Sequence, residues 1–275
     1  MGVLDGKSAI VTGSARGIGR ATAELLVAHG AQVLINDLDG DVAEQASGEI
    51  QGETAVYAGD LTKPGAPDEL VAKAIDAFGK IDIVVNNAGY TIDAPVHKMS
   101  DDQFQKMLDI HTVVPFRVIR AAAPHLREPA KQEREEGKEV FRKIVNVSST
   151  SGTFGNAGQA NYSSGKAGVV GLTKTVAKEW GQFKVNVNAV AFGFIDTRLT
   201  QAKVDENTME KDGETIQLGI PEQMRQMASM LIPLGRPATP EEAAGGVFFL
   251  CSPWSNYVHG QTLHITGGLF GGMTG

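Results

Sequence analysis

The sequence predicts an α/β fold: one doubly wound parallel sheet of seven strands with helices on both faces. Three observations carry it. Apolar runs of strand length alternate with helix-period segments almost to the end of the 275 residues. The run 81–85 shows no polar alternation after Asp82, so both of its faces should be covered. A glycine-rich turn follows the first strand directly, where such sheets take their ligands.

Taken in order, 8–11 is a short buried strand and 17–29 a helix, with Ile18, Ala21, Leu25 and Ala28 at helical spacing. Strand 32–36, helix 41–50 and strand 54–58 follow. Helix 67–78 begins with proline, which suits a first turn. Strand 81–85 leads to a long helix over 101–126, strand 143–147, helix 160–180 and strand 184–190. Helix 241–250 and strand 261–265 close the pattern. Two stretches interrupt it. The charged stretch 127–143 reads as a solvated helix extension or loop. The excursion 197–240, at about forty residues, far exceeds the ~2–6 residue loops usual here and reads as a substrate lid. The chain, 1–275, is expected to form a single domain.

Composition narrows the function. Apolar residues make up 42% and charged residues 21%, as in ordinary globular proteins. The net charge is −7, which argues against nucleic-acid binding. The lone cysteine, Cys251, excludes an internal disulfide and a multi-cysteine zinc site, and no metal is expected. Neither a targeting segment nor a membrane-spanning run is visible, so the expectation is a cytoplasmic protein away from membranes.

The glycine turn reads Thr12-Gly13-Ser14-Ala15-Arg16-Gly17-Ile18-Gly19. Glycines there let backbone N–H groups and the positive end of a helix face a pyrophosphate. Asp37 follows Gly19 at the spacing of the acidic residue that binds ribose hydroxyls, and its carboxylate would repel a 2′-phosphate. NAD is therefore the expected cofactor. NADP is the alternative, because Arg16 would pair with that phosphate. Ser149 ends the fifth strand, and Tyr162 and Lys166 lie four residues apart on one helix face. A nearby ammonium is expected to lower the phenol's pKa, so that the pair can exchange a proton while hydride moves. A serine hydroxyl would hold the substrate oxygen.

Together the pieces TGSARGIG (12–19), GDL (59–61), NNAG (86–89), NVSS (146–149), YSSGK (162–166) and GFIDT (193–197) resemble the short-chain dehydrogenase/reductase family. The resemblance covers nearly the whole chain and implies a Rossmann fold. It implies that Ser149, Tyr162 and Lys166 are catalytic, with Tyr162 and Lys166 also touching cofactor. It places Asp60 and Leu61 at adenine, Asn87, Ala88 and Gly89 at the sheet centre and ribose, and Ile195 and Thr197 at carboxamide and phosphate. Gly13, Ser14, Arg16, Gly17, Ile18 and Gly19 complete the cofactor set with Asp37. The pieces 156–168 and 260–268 look most like bacterial 3-oxoacyl-acyl-carrier-protein reductases. A homotetramer is implied, acting on a small-molecule or acyl-thioester substrate.

Two positions depart from the family pattern. Phe192 stands where proline is usual, which would alter or merely repack the floor of the nicotinamide pocket. His111 stands where asparagine holds a proton-relay water, and it joins the catalytic candidates. The expected activity is interconversion of a secondary alcohol and a ketone. An NADP-linked 3-oxoacyl-acyl-carrier-protein reductase is the alternative, and a catalytically weak nucleotide sensor or scaffold a further one. In the excursion, Met224, Met227 and Leu231 recur at helical spacing beside Met230, suited either to a bulky apolar substrate or to packing on the body or another subunit.

Overall fold

The computed structural model describes residues 2–202, 207–211 and 213–269, apart from the side chain of Met224. The chain begins β1 (Ser8–Val11), α1 (Gly17–Ala28), β2 (Gln32–Asp37), α2 (Gly40–Glu49), β3 (Thr54–Ala58), α3 (Ala66–Phe78) and β4 (Ile83–Asn86). It continues through α4 (Asp101–Leu108), a π turn (Asp109–Val113), α5 (Val114–Glu135), β5 (Arg142–Ser149), the short α6 (Thr150–Phe154), α7 (Ala160–Trp180) and β6 (Val185–Phe192). The hairpin β7 (Thr208–Lys211) and β8 (Glu214–Gln217), then α8 (Glu222–Leu231), α9 (Pro240–Cys251) and β9 (Thr262–Ile265), complete it.

Seven strands form one parallel sheet in the order β3-β2-β1-β4-β5-β6-β9. Successive side chains of a strand point to opposite faces, and here each face has its own core. Val11, Val33, Ile35 and Val85 pack with Leu26 of α1, Ala43 of α2 and Val247 of α9. Ile10, Leu34, Val84 and Ile144 pack with Leu70 of α3, Val118 of α5 and Val176 of α7. The strand order reverses between β1 and β4, so the crevice expected of a doubly wound sheet opens beyond their carboxyl ends. The glycine turn and residues 87–89 stand there. No described helix is long and apolar enough to cross a membrane.

One expectation is corrected and two are given their form. The long helix over 101–126 is interrupted at 109–113, where Val114 N–H donates to the Asp109 carbonyl five residues back. Pro115 has no N–H to give the carbonyl at 111, so the regular ladder cannot run through. The helix then continues to Glu135, and the charged stretch is, as expected, helix extension to that residue and loop over 136–141, before β5 starts at Arg142. Arg142 starts β5 buried, clamped by both carboxylate oxygens of Glu133 at 2.7 and 2.8 Å. The excursion 197–240 holds the β7–β8 hairpin and α8.

Candidate active site

The glycine turn is built by contacts that leave no room for side chains. A Cβ at Gly13, whose φ is +61°, would stand 2.8 Å from the Ala88 Cα. One at Gly19 would stand 2.1 Å from the Gly13 carbonyl oxygen. Asn87 Nδ2 donates to the carbonyls of Thr12 and Gly13, both at 2.9 Å, and Thr12 Oγ1 receives the N–H groups of Asn87 and Ala88. Gly17, at φ +54°, is open apart from Thr197, whose Cγ2 would lie 3.7 Å from a Cβ there. No side chain caps the start of α1 and no acid sits in its first turn. Its positive end therefore faces the crevice ready for an anion, and the expected dinucleotide fits the turn.

The other cofactor candidates divide into those at the crevice and those turned inward. Ser14 is fully buried: its hydroxyl donates to the Val11 carbonyl at 2.7 Å and its N–H to the Asn36 carbonyl at 2.8 Å, so it shapes the turn from inside. Leu61 and Ile195 are also buried. Ile18 is half-buried against the first core. Asp37 ends β2 at the crevice rim, with one oxygen accepting from the Asp39 N–H at 3.3 Å. Arg16 is held by Asp39 at 3.0 Å. Asp60 accepts from the Thr62 N–H and hydroxyl, and also from Lys211, 151 residues away in sequence.

The catalytic candidates converge where β5 meets α7. Ser149 ends β5 and its Oγ accepts from the Ser151 N–H at 3.1 Å. It lies close enough to the Tyr162 phenol to pull that group's pKa down. Asn161, fully buried, fixes the start of α7: its amide donates to the Ile92 and Gln103 carbonyls and its oxygen takes the Tyr162 N–H at 2.7 Å. Lys166 Nζ donates to the Val147 carbonyl at 2.7 Å and lies 5.6 Å from the centre of the Tyr162 ring. Gly165 and Gly168 bring α7 onto the π turn, since a Cβ at 165 would meet the Met107 carbonyl at 2.8 Å and one at 168 the Thr112 hydroxyl at 2.7 Å.

That π turn places His111 among them. Its ring stands edge-on to Tyr162, centres 4.8 Å apart, and its Nε2 lies 2.8 Å from the Tyr90 carbonyl. A carbonyl only accepts, so Nε2 carries the proton and Nδ1 presents a lone pair. Among the described residues no donor reaches that buried Nδ1. Burial, and then repulsion from Lys166, hold the imidazole neutral, with its pKa well below the ordinary value.

The expected lowering of the tyrosine pKa is not what the protein frame produces. Burial pushes the Tyr162 phenol up to about 12, against the opposing pull of Ser149. Burial also brings Lys166 down to about 7. Desolvation penalises both charged forms and outweighs an ammonium that is itself losing its charge. Phe192 ends β6 within the first core, so it packs rather than opens the pocket floor. Met227, Met230 and Leu231 are exposed on α8, which removes the expected packing of these three on the chain's own body. Met224's side chain lies outside the described residues.

Sequence reading missed Asn161, although a polar residue entering the catalytic helix is a signal. It also missed Lys211. There the sequence Asp212-Gly213 between alternating residues is a hairpin signature.

Comparison with known proteins gives a consistent result. The family described as enoyl-(acyl carrier protein) reductase matches residues 13–270. The chain is 37% identical over 270 residues to the 3-oxoacyl-[acyl-carrier-protein] reductase FabG of Thermotoga maritima, covering 97% of this chain and 98% of the relative. It is 38% identical over 271 residues to the protein of the same name from Aquifex aeolicus, with the same coverage. A 35% identical relative from Mycobacterium bovis, aligned over 98% of both chains, is an uncharacterized oxidoreductase.

Proposed function

The chain belongs to the short-chain dehydrogenase/reductase family and is an NAD(P)-dependent oxidoreductase; from that premise we propose that it interconverts secondary alcohols and ketones of the 3-hydroxyacyl and 3-oxoacyl thioester class. The observation that carries the reading is the convergence of Ser149 at the end of β5 with Tyr162 and Lys166 on α7, the Lys166 Nζ held by the Val147 carbonyl 5.6 Å from the Tyr162 ring centre. In the reductive direction the phenol donates a proton to the carbonyl oxygen as it gains charge, and the serine hydroxyl holds that oxygen in place. In reverse, the tyrosine oxygen takes the alcohol proton. The nicotinamide ring, when bound, supplies or accepts the hydride. A phenol near pKa 12 is well set to hold its proton until the substrate oxygen calls for it, and the positive charge of an oxidised ring would ease its loss.

NAD is the proposed cofactor. Asp37 stands at the ribose position, and Arg16 is engaged by Asp39. The alternative, an NADP-linked 3-oxoacyl-acyl-carrier-protein reductase, draws support from the names of the relatives and from Arg198, a second cation near Asp37. The exposed Met227, Met230 and Leu231 favour a long acyl chain over a small polar substrate. We place Ser149, Tyr162 and Lys166 as catalytic residues of one domain that assembles as a homotetramer. Phe104 and Phe116, exposed on α4 and α5, support pairing through those helices.

Following NADH and NADPH oxidation with 3-oxoacyl thioesters of graded chain length tests the reading. Turnover that rises with chain length is expected. Turnover confined to small polar ketones would reject the substrate class, and none with any ketone would favour the nucleotide sensor.

A further inference from the structure

The excursion after β6 touches, over its described residues, both the glycine turn and Asp60. It starts at Thr197, against Gly17 of the glycine turn. One residue on, Arg198 lies near enough to Arg16 and Asp37 to feel both charges. Its guanidinium donates to the Asn207 side chain at 3.3 Å and to the Thr208 carbonyl at 2.8 Å, joining the start of the excursion to β7.

The hairpin then reaches Asp60. Lys211 Nζ donates to Asp60 Oδ2, with the two side chains only 7% and 13% exposed. Asp60 Oδ1 is occupied by the Thr62 N–H and hydroxyl at 2.9 and 2.7 Å. Lys63 also approaches Oδ2, at 4.0 Å and from an exposed position. On the other strand Glu214 meets Lys106 of α4 at 2.8 Å, with the glutamate largely exposed. Met209 and Ile216 pack on the second core. Among the described contacts, the hairpin is thus fastened by a sheltered pair, an exposed pair, the Arg198 hydrogen bond to β7, a Lys211 contact with the Thr62 hydroxyl and two apolar side chains.

We propose that β7–β8 forms the outer wall of the adenosine site and that the Lys211–Asp60 pair is its latch, so that cofactor leaves only after the pair parts. This rests on the reading that the crevice holds a nicotinamide dinucleotide. An ionised carboxylate oxygen keeps a further lone pair when it accepts one ammonium proton. Lys211 therefore leaves Asp60 free to accept from an adenine amine. A pair this sheltered is weakly screened and is the stronger tie, whereas the exposed Lys106–Glu214 pair contributes little.

Stopped-flow displacement of bound NADH or NADPH, followed by its fluorescence, reads the latch directly. Lys211→Met should speed release by about tenfold and speed entry with it, so that equilibrium binding changes much less than the release rate. Lys211→Arg should release at nearly the wild-type rate, and Glu214→Gln should accelerate release far less than Lys211→Met. If Lys211→Met misfolds by thermal melting, Lys211→Gln carries the same expectation. Unchanged release from the neutral variant would overturn the latch. So would slower release with tighter binding, which would mean that Lys211 occupies the adenine's place. Failure of the wild type to bind either nucleotide would sink the cofactor reading and the latch with it. Wild-type binding with unchanged variant release would remove the latch alone.

Discussion

Gly89 and His111 share one space: a Cβ at residue 89 would stand 2.4 Å from His111 Cε1 and 2.9 Å from its Nδ1. The glycine of the NNAG segment is therefore what admits the imidazole beside the Tyr162 ring. Nε2 is committed to the Tyr90 carbonyl, and the buried Nδ1 keeps a lone pair that no donor among the described residues reaches.

The first prediction follows from that pairing. Gly89→Ala should displace His111 and lower kcat. His111→Asn in the same background should recover part of the loss, because the shorter side chain vacates the Cε1 position. In the wild-type background His111→Asn should stay active, whereas His111→Leu should lose turnover. The imidazole is neutral well below pH 6.5, so its titration should leave no step in the kcat–pH profile above about pH 6.5. Equal activity and identical profiles for wild type and His111→Leu would make His111 a packing residue only.

Cofactor choice supplies the second. Asp37 is expected to make NAD bind more tightly than NADP, through hydrogen bonds to ribose hydroxyls and repulsion of a 2′-phosphate. Asp37→Ala should narrow the gap, because one carboxylate would no longer repel that phosphate, while Arg16 stays paired with Asp39 and Arg198 loses its attraction to Asp37. Fluorescence titration of both cofactors checks it. Tighter NADP binding by the intact protein would assign the site to the arginines.

Much of the fold was legible because buried parallel strands leave short apolar runs. The runs at 8–11, 54–58 and 184–190 mark β1, β3 and β6 to within two residues. The break at His111 was not legible. The apolar spacing passes through Pro115 unaltered, and only the loss of one N–H turns the helix aside. Of the site, the glycine turn and the Ser149, Tyr162, Lys166 set were visible in spacing, since each lies on a single strand–turn–helix unit. Asp60 and Lys211 were not paired in advance, because no local pattern joins residues 151 apart. The direction of the Tyr162 shift also escaped, because spacing reveals neighbours and not desolvation.

Tyr162→Phe gives the third prediction. The substitution removes the phenol oxygen and keeps the ring that packs against His111. General acid–base catalysis is worth about 10²–10⁴-fold, so turnover should fall by at least that order. Cofactor binding should be largely retained, since the phenol reaches the crevice at its catalytic end only. Near-normal turnover in the variant, measured by single-turnover hydride transfer, would reject Tyr162 as the proton carrier.

The fourth concerns stability and isolates Lys166. In the folded chain burial holds this lysine near pKa 7, against an ordinary value of 10.5. Between those two values the unfolded chain binds the extra proton and the folded chain does not. Stability must therefore rise with pH across that window, by up to about 1.4 kcal/mol per pH unit for one such group. Lys166→Met deletes that slope. It also strands the Val147 carbonyl that the ammonium serves, but this cost does not vary with pH. Lys143, brought down to about 8 by burial, shifts in the same direction but is present in both proteins and cancels in the difference. Tyr162 acts with the opposite sign only above pH 10, where the folded chain keeps a proton that the unfolded chain loses. Urea unfolding of wild type and Lys166→Met at pH 7.5, 8.5 and 9.5 should show the variant's relative stability falling steadily as pH rises. A difference that stays constant over those three values would mean that Lys166 keeps its ordinary pKa in the folded protein, and that its ammonium is fully charged beside Tyr162 throughout the working range.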